Sequence, residues 1–177
     1  VVSVSAKTYL VHNSAMVTTA APVKQPTGTA IRTMMQLAPG VTIRIVEWGF
    51  SLDSYATPGE VELVDTGTVF CTGMSAAYAV ADVQPHNDPN APANTSGSTG
   101  VPLNLGTGLS AFATGAGTEG TVTAAKMKDL CLNPVGPYCK QWPLGREPEV
   151  VSGDALRVRM TFATSVNAYI YAIFETY

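Results

Sequence analysis

At 177 residues and 18.5 kDa, the chain is long enough to bury a core without metal or disulfide staples, and it reads as one domain, 1–177. A hydrophobic share of 46% excludes general disorder, and a charged share of 13% is about half the usual value. The net charge is −3 and the ten Lys and Arg are scattered, so the concentrated basic surface that nucleic-acid binding requires is missing.

The first stretch, "VVSVSAKTYLVHNSAMV", has no charged start followed by an apolar block, so a signal peptide is not expected. No segment approaches the ~18 apolar residues of a membrane helix, so no membrane partner is expected and a cytosolic setting is. Within it, "SVSAKTYLVH" alternates, with Val2, Val4, Ala6, Thr8 and Leu10 on one side. Residues 1–28 as a whole are low in charge and read as an extended N-terminal arm. "TAIRTMMQLAP" alternates Ile31, Thr33, Met35 and Leu37 against Arg32, Met34 and Gln36.

"VTIRIVEWGFSLD" changes parity midway: Val41, Ile43 and Ile45 set one face, while Trp48, Phe50 and Leu52 fall on the other. A bulge at Gly49 would switch the faces, because glycine relieves the backbone there; cover on both faces is the other explanation. "GEVELVDTGTVF" follows a Pro58–Gly59 turn, which predicts that 41–53 and 60–70 pair. "GMSAAYAVADVQ" fits a short helix or a strand, and 85–102, "PHNDPNAPANTSGSTGVP", is a long surface loop. "TEGTVTAAKMKDLCLN" reads as a strand followed by a second strand or one helical turn.

The clearest alternation is "ALRVRMTFA": Leu156, Val158, Met160 and Phe162 face one way, and Arg157, Arg159 and Thr161 the other, with the arginines expected on a solvated face. "VNAYIYAIFETY" is a long last strand rich in aromatic and β-branched residues. The short "TSVN" connection predicts a hairpin of 155–163 with 166–176. Many short strands joined by Gly and Pro define an all-β chain, an antiparallel β-sandwich that is jelly-roll-like; another Greek-key or immunoglobulin-like sandwich is the alternative.

Residues that could carry chemistry have plainer readings. "TGTVFCTG" and "GTGLSAFATGAGTEG" lack the Lys and the strand–loop–helix setting of phosphate loops, so their glycines are assigned to turns. "HNDPN" (86–90) has a single carboxylate, Asp88, too few for calcium. Glu60 and Glu62 share a strand face, as paired carboxylates do in glycosidases and on any solvated strand. His12 and His86 are far apart, there is no Gly-x-Ser-x-Gly elbow, and the odd count of Cys71, Cys131 and Cys139 argues against a paired framework, with a Cys131–Cys139 bridge left open. No catalytic, cofactor or metal residue is assigned, and an enzyme is not expected.

The densest stretch is "YCKQWPLGREPEV", 138–150. Pro143 and Pro148 hold the residues before them extended, and Leu144–Gly145 can turn. Trp142 and Arg146 are residue types enriched at interface hot spots, so the stretch is either an inter-subunit contact or a cap on the end of its own sandwich. Trp48, Phe50, Trp142, Tyr169, Tyr171 and Tyr177 exceed what one sandwich core easily hides. Tyr169, Tyr171 and Tyr177 share a parity with Ile173, opposite Ile170 and Phe174, so both faces of the last strand want cover, and an oligomer supplies it.

"IRIVEWGFSLD", "PGEVELVDTGTV", "KQWPLGREPEV" and "LRVRMTFATSVNAYIYAIFE", in this order, resemble a group of small uncharacterised proteins of actinobacteria and their tailed phages. The resemblance covers about two thirds of the chain, from residue 41 to the end apart from the 85–102 loop. It implies a capsid decoration, or cement, protein: a homotrimer on the outer surface of a virion, made in the host cytoplasm, with the major capsid protein as partner. The contact residues on that reading are Trp48, Phe50, Trp142, Arg146, Tyr169, Tyr171 and Tyr177. The 1–28 arm or the 85–102 loop would reach over a neighbouring capsid subunit. A glycan-binding sandwich module and a tail or adhesion protein are the alternatives; a metal-dependent jelly-roll enzyme lacks the histidines it would need.

Overall fold

A computed structural model describes residues 7–13, 25–26, 30–55, 58–74, 76–78, 82–88, 111–112 and 117–176. In chain order the strands are β1 (Lys7–His12), β2 (Gln25–Pro26), β3 (Arg32–Leu37), β4 (Ile43–Leu52), β5 (Gly59–Asp65), β6 (Ala76–Ala77), β7 (Gln84–Pro85), β8 (Ala111–Phe112), β9 (Lys126–Leu132), β10 (Tyr138–Gln141), β11 (Glu149–Val150), β12 (Leu156–Phe162) and β13 (Asn167–Thr176). They form two antiparallel sheets. The first has the order β10-β4-β13-β1-β7, with β11 also on β4 and β2 on β13; the second is β6-β8-β3-β12-β5-β9. The protein is a β-sandwich.

Alternation explains the core. On β12, Leu156, Val158, Met160 and Phe162 are buried, and on β13, Ala168, Ile170, Ala172 and Phe174 are, so each strand gives its even positions to the interior. Tyr9 and Val11 do the same from β1, where Tyr9 stacks on Phe174 with ring centroids 5.9 Å apart. One cluster of buried side chains spans both sheets. The odd-numbered side of β1, not the Thr8–Leu10 side, therefore faces the core.

Two predicted pairings do not form. β4 and β5 lie in different sheets, and so do β12 and β13. The "TSVN" link is an arch over the end of the sandwich rather than a hairpin turn, and β4 and β5 likewise follow one another in different sheets. The physical reason is that sheets stack about 10 Å apart, a gap that four extended residues span as easily as they turn a hairpin. What selects the arch is burial: an apolar row on β12 and another on β13 are satisfied together by facing each other. This crossing of consecutive strands between sheets is repeated from β3 to β4.

The parity change in β4 is real, but its place differs. The register with β13 shifts between Ile173 and Phe174, which pair with Glu47 and Ile45, so the extra residue is Val46. Ile43 and Ile45 before it, and Trp48, Phe50 and Leu52 after it, all reach the core. Gly49 serves another purpose. A Cβ there would lie 2.5 Å from the Tyr138 carbonyl and 2.6 Å from Tyr171 Cε1, so glycine makes room for the tyrosine ring laid across the strand.

The N-terminal arm is also corrected in part. Residues 7–12 are strand β1, hydrogen-bonded between β13 and β7, because Tyr9 and Val11 carry core side chains. Residues 1–6 and most of 14–28 lie outside the described residues, as do 89–102 of the predicted loop. The start of that loop extends the sheet: the His86 amide donates to Thr8 O (2.8 Å), and Asn87 Oδ1 accepts from the Thr8 amide (3.0 Å).

Candidate functional site

The stretch 138–150 is one edge strand with an excursion. β10 pairs with Glu47–Phe50 of β4 and β11 with Ile43–Arg44, in the same direction along the same side. Between them 142–148 loops out, pinned at its ends by the Trp142 amide to Val46 O (3.1 Å) and the Ile45 amide to Pro148 O (3.0 Å). Trp142 is half-buried and packs on the core, so its larger part is an internal cap. Beyond it, Arg146 N–H donates to Pro143 O (2.9 Å), closing a tight turn that needs Gly145 at φ +80. The turn carries Leu144 at its tip, 95% exposed, with Arg146 exposed beside it.

Trp48 and Phe50 are not contact residues. They are 0% and 2% exposed and form an aromatic cluster with Tyr138. Their apparent surplus came from counting one face of β4, which the Val46 bulge turns inward. Asp129 of β9 accepts from Trp48 Nε1 (3.0 Å) and from the Tyr138 hydroxyl (2.7 Å), tying the two sheets at this edge. Burial, then the bond to Asp129, pushes the Tyr138 hydroxyl far above its usual range, so it stays a donor.

Tyr169 and Tyr171 stand on the outer face of the first sheet, half-buried. Tyr171 donates to Glu47 Oε1 (2.6 Å) and lies 3.3 Å from Cys139 Sγ, while the Tyr169 hydroxyl bonds His12 Nδ1. Burial lowers the affinity of His12 for a proton. Trp142 points to the core side, so the structure does not gather the predicted contact residues into one patch. Tyr177 lies outside the described residues. An open aromatic platform for sugars is therefore not assembled from Trp48, Trp142, Tyr169 and Tyr171.

The largest departure from the sequence reading is on the outer face of the second sheet. Arg157 is 0% exposed, not solvated. Its Nε and Nη2 donate to Thr33 Oγ1 (2.9 and 2.7 Å), and Nη2 also bonds Glu119. Glu119 Oε2 accepts from Thr33 Oγ1 (2.7 Å), while Gln36 and Cys71 exchange two bonds through the Cys71 amide (2.8 Å) and carbonyl (3.2 Å). Two irregular segments, around Cys71–Thr72 and Gly117–Gly120, cover this layer and are held together by the Thr72–Thr118 bridge. Arg159 pairs with Glu62, whose carboxyl burial pushes upward despite the arginine. Strict alternation put Thr33 and Gln36 on opposite faces of β3; the register with β12 passes from Met35 to Thr33, so the extra residue Met34 brings both to the Arg157 side. The cover has no periodicity and gives no signal.

Exposed apolar side chains collect on β9, the last strand of its sheet. Met127, Leu130 and Leu132 are 49%, 42% and 63% exposed, and Val135 in the following loop is 87% exposed. At the end of this strand lies an open groove of about 340 Å³, lined by Pro58, Leu132, Asn133, Phe162 and Ala163 with Glu60 at its rim. Asn133 fixes it, exchanging bonds with Gly59 through Oδ1 (2.9 Å) and its amide (2.7 Å).

Among the described residues, no three His, Cys, Asp or Glu side chains are grouped to hold a metal, the three cysteines are free, and no helix is long and apolar enough to cross a membrane. No protein-family model matches the chain, and no curated protein or solved structure matches it significantly.

Proposed function

We propose that this is a non-enzymatic structural protein of a virion, a β-sandwich homotrimer that decorates and reinforces a tailed-phage capsid by contacts with the major capsid protein. The observation that carries the reading is the apolar row Met127, Leu130, Leu132 and Val135, exposed on and beside an edge strand of a chain poor in charge. Exposed apolar side chains grouped at a sheet edge mark interaction surfaces. The resemblance of "KQWPLGREPEV" (140–150) and the three strand stretches quoted with it to small proteins of actinobacteria and their tailed phages supplies the virion setting.

The test is purification of virions from infected cells, with quantitative mass spectrometry of capsids and tails separately. The expected result is this chain in the capsid fraction at a fixed ratio to the major capsid protein. Its absence from purified virions refutes the proposal, and its recovery with tails alone moves it to a tail protein.

A further inference from the structure

Two separate surface features, a turn and a groove, are complementary in shape and charge. At the β10–β11 turn, Leu144 is 95% exposed, yet Pro143, Gly145 (φ +80) and the Arg146–Pro143 bond (2.9 Å) hold it in one conformation. Glu147 is turned back on the Gly145 amide (2.7 Å), and Arg146 makes no ion pair among the described residues. In the groove at the end of the second sheet, Leu132, Pro58, Phe162 and Ala163 offer apolar surface in about 340 Å³. Glu60 at the rim is exposed and likewise makes no ion pair, since its neighbour Glu62 is the one that holds Arg159.

We propose that the occupant of this groove is a second copy of the chain: Leu144 of one copy seats in the groove of the next, and Arg146 meets its Glu60. The turn stands opposite Ile45–Val46, partway along β4, whereas the groove lies where β5 begins and β9 and β12 end. The two surfaces differ, so the contact is head-to-tail, the kind from which a closed ring such as a trimer is built. This deepens the oligomer in the reading above, on which it rests, by naming the residues that build it. The preformed turn loses little freedom on docking, and the leucine adds apolar burial.

The experiment is sedimentation velocity of the full chain across micromolar concentrations, with Leu144→Asp, Arg146→Glu, Glu60→Arg and the double charge reversal Arg146→Glu/Glu60→Arg. All three positions are exposed, so thermal melts should match the parent. Wild type is expected to self-associate, each single variant to weaken association by about tenfold or more, and the double reversal to regain most of it. An oligomer that none of the single changes weakens overturns this contact and leaves the oligomeric reading standing. A monomeric wild type overturns both, and virion purification then judges the capsid reading by itself.

Discussion

Replacing Arg157 by Ala separates a solvated arginine from a buried one. The change removes two bonds to Thr33 (2.9 and 2.7 Å) and the ion pair with Glu119. It leaves the Glu119 carboxylate, only 21% exposed, without its cation. Breaking a buried pair from one side costs about 3–5 kcal/mol. Because Glu119 can relax toward water, the lower end applies, about 3 kcal/mol. For a chain of this size that is a fall in Tm of about 6–12 °C. A substitution at a solvated position would cost within about 0.5 kcal/mol. Urea unfolding followed by tryptophan fluorescence measures the difference, with an unchanged m value expected. The double variant Arg157→Met/Glu119→Leu should regain most of the loss, because an apolar pair replaces an ion pair at little cost. A loss below about 1 kcal/mol for Arg157→Ala would refute the reasoning, since burial and pairing together cannot be worth so little.

Trp142→Ala should lower stability by about 2 kcal/mol, less than for a fully buried tryptophan, through lost packing on the core; equilibrium denaturation checks it. His12 is buried neutral, so its folded pKa lies below the unfolded value near 6.5. The unfolded chain then binds more protons, and the contribution of His12 is present above pH ~6.5 and is lost as the pH falls through the folded pKa. Thermal melts between pH 7 and 5 should show this fall, and His12→Gln should flatten it. Deleting residues 1–12 should abolish cooperative unfolding, because it removes β1 with Tyr9 and Val11; a folded product in near-ultraviolet circular dichroism would contradict the place of β1 in the sheet.

Much of the fold was legible in alternation. The rows Leu156–Val158–Met160–Phe162 and Ile170–Phe174, and the parity change in β4, depend only on side chains pointing alternately to two faces, a local property of any strand. From these follow the all-β class and most of the core. The candidate surfaces were legible only in part: Trp142 and Arg146 were singled out by residue type, whereas Leu144, the most exposed large side chain of that turn, was not.

Tertiary structure decided which strands are neighbours and which outward faces meet water. A link of four residues is long enough for an arch and for a hairpin, so "TSVN" carries no information about the choice; two apolar rows needing each other do. Arg157 looks solvated from its own strand because its cover, around Cys71 and Glu119, comes from segments 86 and 38 residues away. Trp48 and Phe50 look superfluous until the Val46 bulge aims them inward, and Gly49 looks like a bulge until Tyr171 is laid over it. Periodicity reports the direction of a side chain relative to its own backbone; what lies in that direction is set by contacts between distant parts of the chain.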